Sequence, residues 1–424
     1  MNDLQFQDGD VVLLAGYTCG RTLEAVAASD AAVTVLVAGP TFDREYAGVS
    51  IEQFTRTTPT AEVKMLAPQG SARSLVNDGE AAYIPSRSPD QTDIVRMILD
   101  QATRVVGACE TSPPRDGSLT PGACGLLVPT MVEKTDITIA EINQNAPRLP
   151  GMSFRAEQFD LHLEATCDLP YIDPPEIDAV TRRVGENVAR LVPEGATLEI
   201  GIGRLPAAVA RSLDDRTGLG LHGGFVSSAV RSLVESGMVT RGSSVAEPDP
   251  DCPLGRPLLA TAILGTNSSF YEWLERSHVV AVDTMRRTSD PALVGTNPKF
   301  TPINGALQVD IEGQVNAERI GTRQVSIPGG QPAYLRAARR SDGGTSIVAL
   351  TSTVPDGSSK IVSSISDAGV VTTPRVDADH VVTEHDTAIL FGETVSSRTD
   401  KLISLAPPNE RDRLRETARK RGIL

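Results

Sequence analysis

The apolar positions of the chain fall into short blocks, and two stretches repeat one plan. DGDVVLLAGYTCGRTLEAVAA (8–28) runs from a glycine turn through a continuous apolar block, VVLLAG (11–16), into a polar turn and an amphipathic helical pattern. EGATLEIGIGRLPAAVARSL (194–213) has the same order, with Gly195 in the place of Gly9 and Leu205, Val209 and Leu213 spaced by four. Two strand–turn–helix units about half a chain apart predict tandem α/β halves. CGLLVP (124–129), VVAVD (279–283), SIVAL (346–350) and VVTE (381–384) are strand-length. Short continuous runs of this kind suit buried strands of mostly parallel sheets with helices on both faces.

Helices are expected over 179–192, from Val180, Val184, Val188 and Leu191, and from Tyr334 to Arg340 after a glycine turn. NERDRLRETARKRGIL (409–424) carries acids early and bases late, as the helix macrodipole favours. CDLPYIDPPEID (167–178), rich in proline and acid, reads as a surface connection. The expected domains are therefore 1–175 and 176–424.

Composition narrows the function classes. The 424 residues are 40% hydrophobic and 22% charged, and 54 acids against 40 bases give a net charge of −14. An excess of acid this large disfavours a nucleic-acid or anionic-membrane partner. The N-terminus lacks the cationic start and apolar core of a signal peptide, and every apolar run falls short of a membrane span, so a cytoplasmic location is expected. Five scattered cysteines form no CxxC pair and the five histidines no HxH or HExxH spacing, which predicts reduced thiols and no metal site.

Several short motifs can carry chemistry. The glycines of LEIGIGRLP (198–206) fall where a strand ends and a helix begins; their N–H groups can hold an anion or carbonyl oxygen, although a tight turn reads the same. PGGQ (328–331) is a second glycine turn before a helix. SSK in DGSSKIVSS (356–364) offers hydroxyls and a cation to phosphate or pantetheine, or is a solvated loop. His222 lies among glycines in GLGLHGGF (218–225), and His385 between Glu384 and Asp386 in TEHDTA (383–388); each is read as an acid–base candidate or a structural imidazole. No GxSxG elbow is present, and Leu205-Pro206 after Gly201-Ile202-Gly203 breaks a dinucleotide fingerprint.

In order along the chain these pieces resemble the acetyl-CoA hydrolase/transferase group of family I CoA transferases, which includes 4-hydroxybutyrate and succinyl-CoA:acetate CoA-transferases. EINQNAPRLPG (141–151) is similar to that family's EVNPNMPRTxG, LEIGIGRLPAAV to LQxGIGxxPxAV, and LGLHGGF to LGIHTEM. INGALQVDIEGQVNAERIG is similar to INSALEVDLxGQVNAExIG, SIPGGQPAY to SGxGGQxDF, and VVTEHDTAILFGET to VVTEYGVAxLRGKS.

The resemblance implies two open α/β halves, acyl-CoA as a substrate bound between them, no permanently bound cofactor and a homodimer. It places the GIG and GGQ loops near the thioester, so Gly201, Ile202, Gly203, Gly329, Gly330 and Gln331, together with Lys360 of the SSK stretch, are the ligand-binding candidates. In the family a glutamate of INSALEVD attacks the thioester, and the acyl-glutamyl anhydride yields a glutamyl-CoA thioester that a second carboxylic acid releases. The aligned residue is Gln308, whose amide cannot form that anhydride. Gly223-Gly224 replaces Thr-Glu after His222, Ala333 an aspartate, Ile327 a glycine and Asp386 a glycine, while Glu199 replaces a glutamine. Gln308, Glu199 and His222 are the catalytic candidates. Three readings follow: a CoA transferase moving CoA between a thioester and a carboxylic acid; a hydrolase or direct acyltransferase using Glu199 or His222 as general base; and a non-catalytic CoA-ester binding protein.

Overall fold

The structure is a computed structural model that describes residues 4–17, 19–41, 48–173, 176–213, 216–365 and 369–424. Thr18 and 174–175, which belong to two of the expected connections, lie outside the described residues. The chain forms two units: Met1–Ile172 with Pro248–Thr288, and Asp173–Glu247 with Ser289–Leu424.

In unit 1, seven of the described strands form one parallel sheet: β1 (Val11–Leu14), β2 (Val33–Val37), β3 (Ala61–Met65), β4 (Ala82–Tyr83), β5 (Val105–Thr111), β6 (Ile137–Asn143) and β7 (Leu161–Ala165). Their order is β4-β3-β2-β1-β5-β6-β7. β1 is buried throughout, because a parallel strand covered on both faces can expose neither side of its pleat. Val12, Leu14, Val106 and Ala108 pack with Leu23 and Val26 of helix α1 (Gly20–Ala27). Gly107, between Val106 and Ala108, faces the other way, where a Cβ would lie 2.4 Å from Met131 Cγ on α2 (Val128–Lys134). Helices thus cover both faces.

Unit 2 repeats the plan. β8 (Thr197–Ile200), β9 (Leu219–Leu221), β10 (Val239–Arg241) and β11 (Phe300–Gly305) join strands from the C-terminal third. Between β11 and those strands, β12 (Gln308–Asp310) and β13 (Val315–Asn316) leave the main sheet. They form a small separate sheet with a later strand, β15 (Ile361–Val362), in the order β13-β12-β15. β14 (Ile347–Ala349), β16 (His380–Val382) and β17 (Thr387–Ile389) complete the main sheet, β10-β9-β8-β11-β14-β16-β17, in which β17 alone of the described strands is antiparallel. The strand order reverses between β1 and β5 in unit 1 and between β8 and β11 in unit 2. Sheets of this kind open a crevice beyond the carboxyl ends of their strands at such a reversal.

Helix α3 (Ala179–Leu191) starts at Asp178, whose carboxylate caps Thr181 N, and α4 (Arg204–Arg211) follows β8. The buried stripe of α3 is Thr181, Val184, Gly185, Val188 and Ala189, and Val180 is 44% exposed rather than inward-facing. Gly185 decides that rotation: a Cβ there would stand 2.8 Å from the backbone of Ala208 on α4, so the two helices meet at this glycine. The C-terminal pattern forms α5 (Gln331–Arg340), α6 (Val395–Leu405) and α7 (Arg411–Lys420).

Two expectations are corrected by the pairing. Residues 124–129 form no strand: Cys124 makes an isolated bridge to Ala262, and Val128 opens α2. The strand inside 279–283, Val280–Val282, belongs to unit 1, where it pairs with Leu258–Ala260 and bridges Gly151. The chain therefore crosses between the units three times, near residues 172, 247 and 288, where the sequence reading has one boundary at 175/176. What holds 248–288 in unit 1 is backbone pairing of Ile263 N with Ala123 O and of Gly125 N with Thr261 O, together with Tyr17 Oη donating to Ile263 O at 2.6 Å.

Gly107→Val should lower stability by about 1–3 kcal/mol through overpacking against Met131. Adding Met131→Ala should recover part of the loss in a thermal melt; equal melting temperatures for Gly107→Val and its parent would contradict this packing.

Candidate active site

The carboxyl end of β8 runs into Gly201-Ile202-Gly203 and then α4. Gly203 caps α4 with φ +114° and ψ −174°, which L side chains rarely adopt, and no side chain caps the helix. A Cβ at Gly201 or Gly203 would meet nothing within 4 Å, so the loop borders open space. The GGQ turn is built similarly: Gly329 has φ +55° with open space beside it, and Gly330 caps α5, where a Cβ would meet the Tyr334 ring at 2.3 Å. The first N–H groups of a helix have no intrahelical acceptor and lie at the positive end of its dipole. Gln331 anchors the second turn, its Nε2 donating to Gly305 O at 2.7 Å and its Oε1 accepting from Thr373 Oγ1 at 3.0 Å.

Parallel register brings Glu199 and His222 onto one face of the main sheet. Thr197 pairs with Phe300 and Glu199 with Pro302, so Glu199 shares its face with Phe300, Pro302 and Asn304. His222 follows β9 one residue beyond the Leu198–Leu221 pair, beside Glu199, and its N–H donates to Leu198 O. Helix α5 covers this face: the His222 ring stands edge-on to Phe300 and Tyr334, with centroids 5.9 and 6.4 Å away. His222 Nδ1 lies 2.7 Å from Ser243 Oγ.

Glu199 and His222 are 4% and 2% exposed. Glu199 Oε2 accepts from Asn304 Nδ2 at 2.7 Å. Burial pushes its carboxyl up to about 7, against the smaller opposing effect of the Asn304 hydrogen bond. Burial also raises the Tyr334 phenol, with the neighbouring Glu199 charge adding to it.

Gln308 stands elsewhere, three residues beyond β11 on the small sheet. Val309, Val315 and Ile361 turn into the core, so Gln308, Asn316 and Lys360 project from the opposite face. Asn316 Oδ1 accepts from the N–H groups of Glu318 and Arg319; its Nδ2 therefore donates, to Arg319 O at 2.7 Å and to Gln308 Oε1 at 3.3 Å. This places the Gln308 oxygen toward Asn316 and turns its NH2 away. Lys360 Nζ donates to Thr351 Oγ1 at 2.9 Å. Burial lowers the Lys360 pKa, partly offset by Glu384 and assisted by Arg204.

Glu199 and His222 thus share a face while Gln308 and Lys360 share another, and each of the four keeps its own hydrogen-bond partner. His385 joins a third group: its Nε2 lies 3.2 Å from Ser352 Oγ, which donates to Glu384 Oε1 at 2.5 Å. Asn304, Tyr334, Ser243 and Asn316 escaped the sequence reading, since only register and packing give them a role. Asn304 within ING and Tyr334 three residues after GGQ were the available signals. Asp249, Asp251 and His278, in unit 1, offer ligand atoms within 4.8 Å of one another; among the described residues no other such group occurs. No helix among the described residues is long and apolar enough to cross a membrane.

Comparison with known proteins decides the lineage. The profile of the acetyl-CoA hydrolase/transferase C-terminal domain matches residues 265–418. A 4-hydroxybutyrate coenzyme A transferase from Clostridium kluyveri is 32% identical over 357 residues, 83% of this chain and 80% of the relative. The chain belongs to the acetyl-CoA hydrolase/transferase family. A succinyl-CoA:cyclohexane-1-carboxylate CoA transferase from Geobacter metallireducens is 30% identical over 82% of the chain and 78% of its own length. The crystal structure of RipA from Yersinia pestis shares the fold, with a TM-score of 0.84 and 24% identity over 99% of this chain and 96% of RipA. Membership of this acetyl-CoA hydrolase/transferase family supports an enzyme and accords with the mixed α/β, mostly parallel architecture.

The raised Glu199 pKa has a consequence for stability. Folding favours the protonated acid, so the penalty is absent below about 4.5, its ordinary value, and complete above about 7. Glu199→Gln removes it and should make the protein more stable than its parent above pH 7, by roughly 3 kcal/mol at most. The gap should close toward pH 4.5. Parallel Tm-against-pH curves for parent and variant would contradict the assignment.

Proposed function

We propose that unit 2 processes acyl-CoA at the carboxyl ends of β8 and β11, moving CoA or an acyl group between a thioester and a carboxylic acid or other acceptor. The observation that carries this reading is the buried Glu199 carboxyl, poised at about 7 beside His222 and Asn304, with two glycine-capped helices opening nearby. The N–H groups of the GIG and GGQ turns are suited to receive the oxyanion that forms when a thioester carbonyl is attacked. The names of the relatives, which describe CoA transfer by those proteins, support the same class of substrate.

The covalent route needs a carboxylate nucleophile, which the family resemblance puts at position 308, here Gln308, and the glutamate of LGIHTEM is also missing, replaced by Gly224. That absence favours direct attack on the thioester carbonyl. Water gives its proton to Glu199 while the C–S bond breaks and CoA leaves as the thiolate, which Glu199 then protonates. A carboxylate acceptor has no proton to give and attacks unaided, the expelled CoA thiolate then opening the mixed anhydride. A carboxyl with a pKa near the working pH is partly ionised and able both to accept and to return a proton. His222, bonded to Ser243, then positions Glu199 from the adjacent strand.

Thioester hydrolysis and acyl transfer to a panel of carboxylates test this reading. Hydrolysis should speed up with pH through about 7, as Glu199 ionises, and Glu199→Gln should slow it by about 10²-fold or more. Unchanged rates in both Glu199→Gln and His222→Ala would remove the two residues from the mechanism. Intact-mass analysis with acyl-CoA should show no covalent CoA adduct on the parent. A restored carboxylate should produce one in Gln308→Glu; an adduct in Gly224→Glu alone would move the nucleophile's place to the end of β9.

A further inference from the structure

We propose that the Gln308 amide and the Lys360 ammonium together seat the carboxylate of a small acid, the partner of the thioester in the reaction proposed for unit 2. The two side chains leave the same face of the small sheet on adjacent strands: Val309 N donates to Lys360 O at 2.9 Å, and Val309 pairs with Ile361, which puts positions 308 and 360 side by side. Asn316 holds the Gln308 oxygen on one edge, which leaves the NH2 as a donor. A glutamate here would be an acceptor and would oppose Lys360 with its own charge. Gln308 instead adds a donor and leaves the cation for a ligand.

Lys360 is half-buried, and among the described residues it has a hydroxyl, Thr351 Oγ1, and no carboxylate within 4 Å. Its charged neighbours are already engaged. Arg204 pairs with Asp178 at 3.2 Å, and both carboxylate oxygens of Glu384 accept from Ser352. One ammonium with one neutral donor matches a single negative charge, as a carboxylate carries, better than a phosphate dianion.

The seat rests on the reading of unit 2 as the acyl-CoA centre, and calorimetry separates the two claims. Butyrate and free CoA are titrated separately into the parent and into Lys360→Met, Lys360→Arg and Gln308→Glu. Butyrate affinity should fall at least tenfold in Lys360→Met and Gln308→Glu and recover to within threefold of the parent in Lys360→Arg, while CoA affinity changes less than twofold. Butyrate that fails to bind the parent, or binds Lys360→Met as tightly, overturns the seat. Loss of CoA affinity in Lys360→Met with butyrate unchanged also overturns it and assigns the cation to a CoA phosphate. A parent that binds butyrate through Lys360 but does not bind CoA leaves the seat standing and refutes the acyl-CoA reading.

Discussion

A carboxyl group buried with no cation beside it among the described residues sets the demands on the second half of this protein. Glu199 lies in the middle of a parallel sheet, and an isolated ionised carboxylate in such a place is costly unless it takes up a proton. Its neighbours fit that demand. Asn304 supplies one hydrogen bond, His222 occupies the adjacent strand, and Tyr334 and Phe300 pack against His222 from α5 and β11. The family resemblance has a glutamine at this position, which would fill the same space without titrating. Retaining a glutamate costs stability above pH 7, the kind of cost associated with groups that work.

The two units show how a duplicated plan diverges. In unit 1 the N-terminus of α1 is closed by the chain itself: Thr22 N and Thr22 Oγ1 donate to Glu141 Oε1 at 2.6 and 2.7 Å, and Arg21 N to Oε2 at 3.2 Å. Glu141 is the glutamate of the EIN motif, pushed up to about 7 by burial with a contribution from Glu110, its partner on the next strand. In unit 2 the corresponding helix, α4, begins at Gly203 with no side-chain cap and open space beside it. One helix end is closed by a carboxyl group of its own unit, and its counterpart has no side-chain cap.

Much of this fold is written in local patterns. Strands covered on both faces read as unbroken apolar runs, and the strand–glycine–helix unit occurs twice, so the α/β halves and the GIG turn were legible. The excursion of 248–288 into unit 1 was not, because it depends on pairing between Ile263, Thr261 and the distant 123–125 backbone. The inward face of α3 was misplaced for a similar reason: the close approach at Gly185 outweighs the apolar spacing. Among candidate residues, motifs singled out Gln308, Glu199 and His222. Only register could show that Glu199 and His222 share a face and that Gln308 stands with Lys360 instead.

The central claim is that the acyl-CoA carbonyl meets Glu199 under the GIG and GGQ turns. A crystal structure of the full chain with an unreactive ketone analogue of an acyl-CoA tests it most directly. The account predicts the carbonyl oxygen within hydrogen-bond distance of backbone N–H groups of those turns, with Glu199 within reach of the attacking position. A carbonyl bound away from both turns, or a Glu199 walled off from it by intervening side chains, would contradict it.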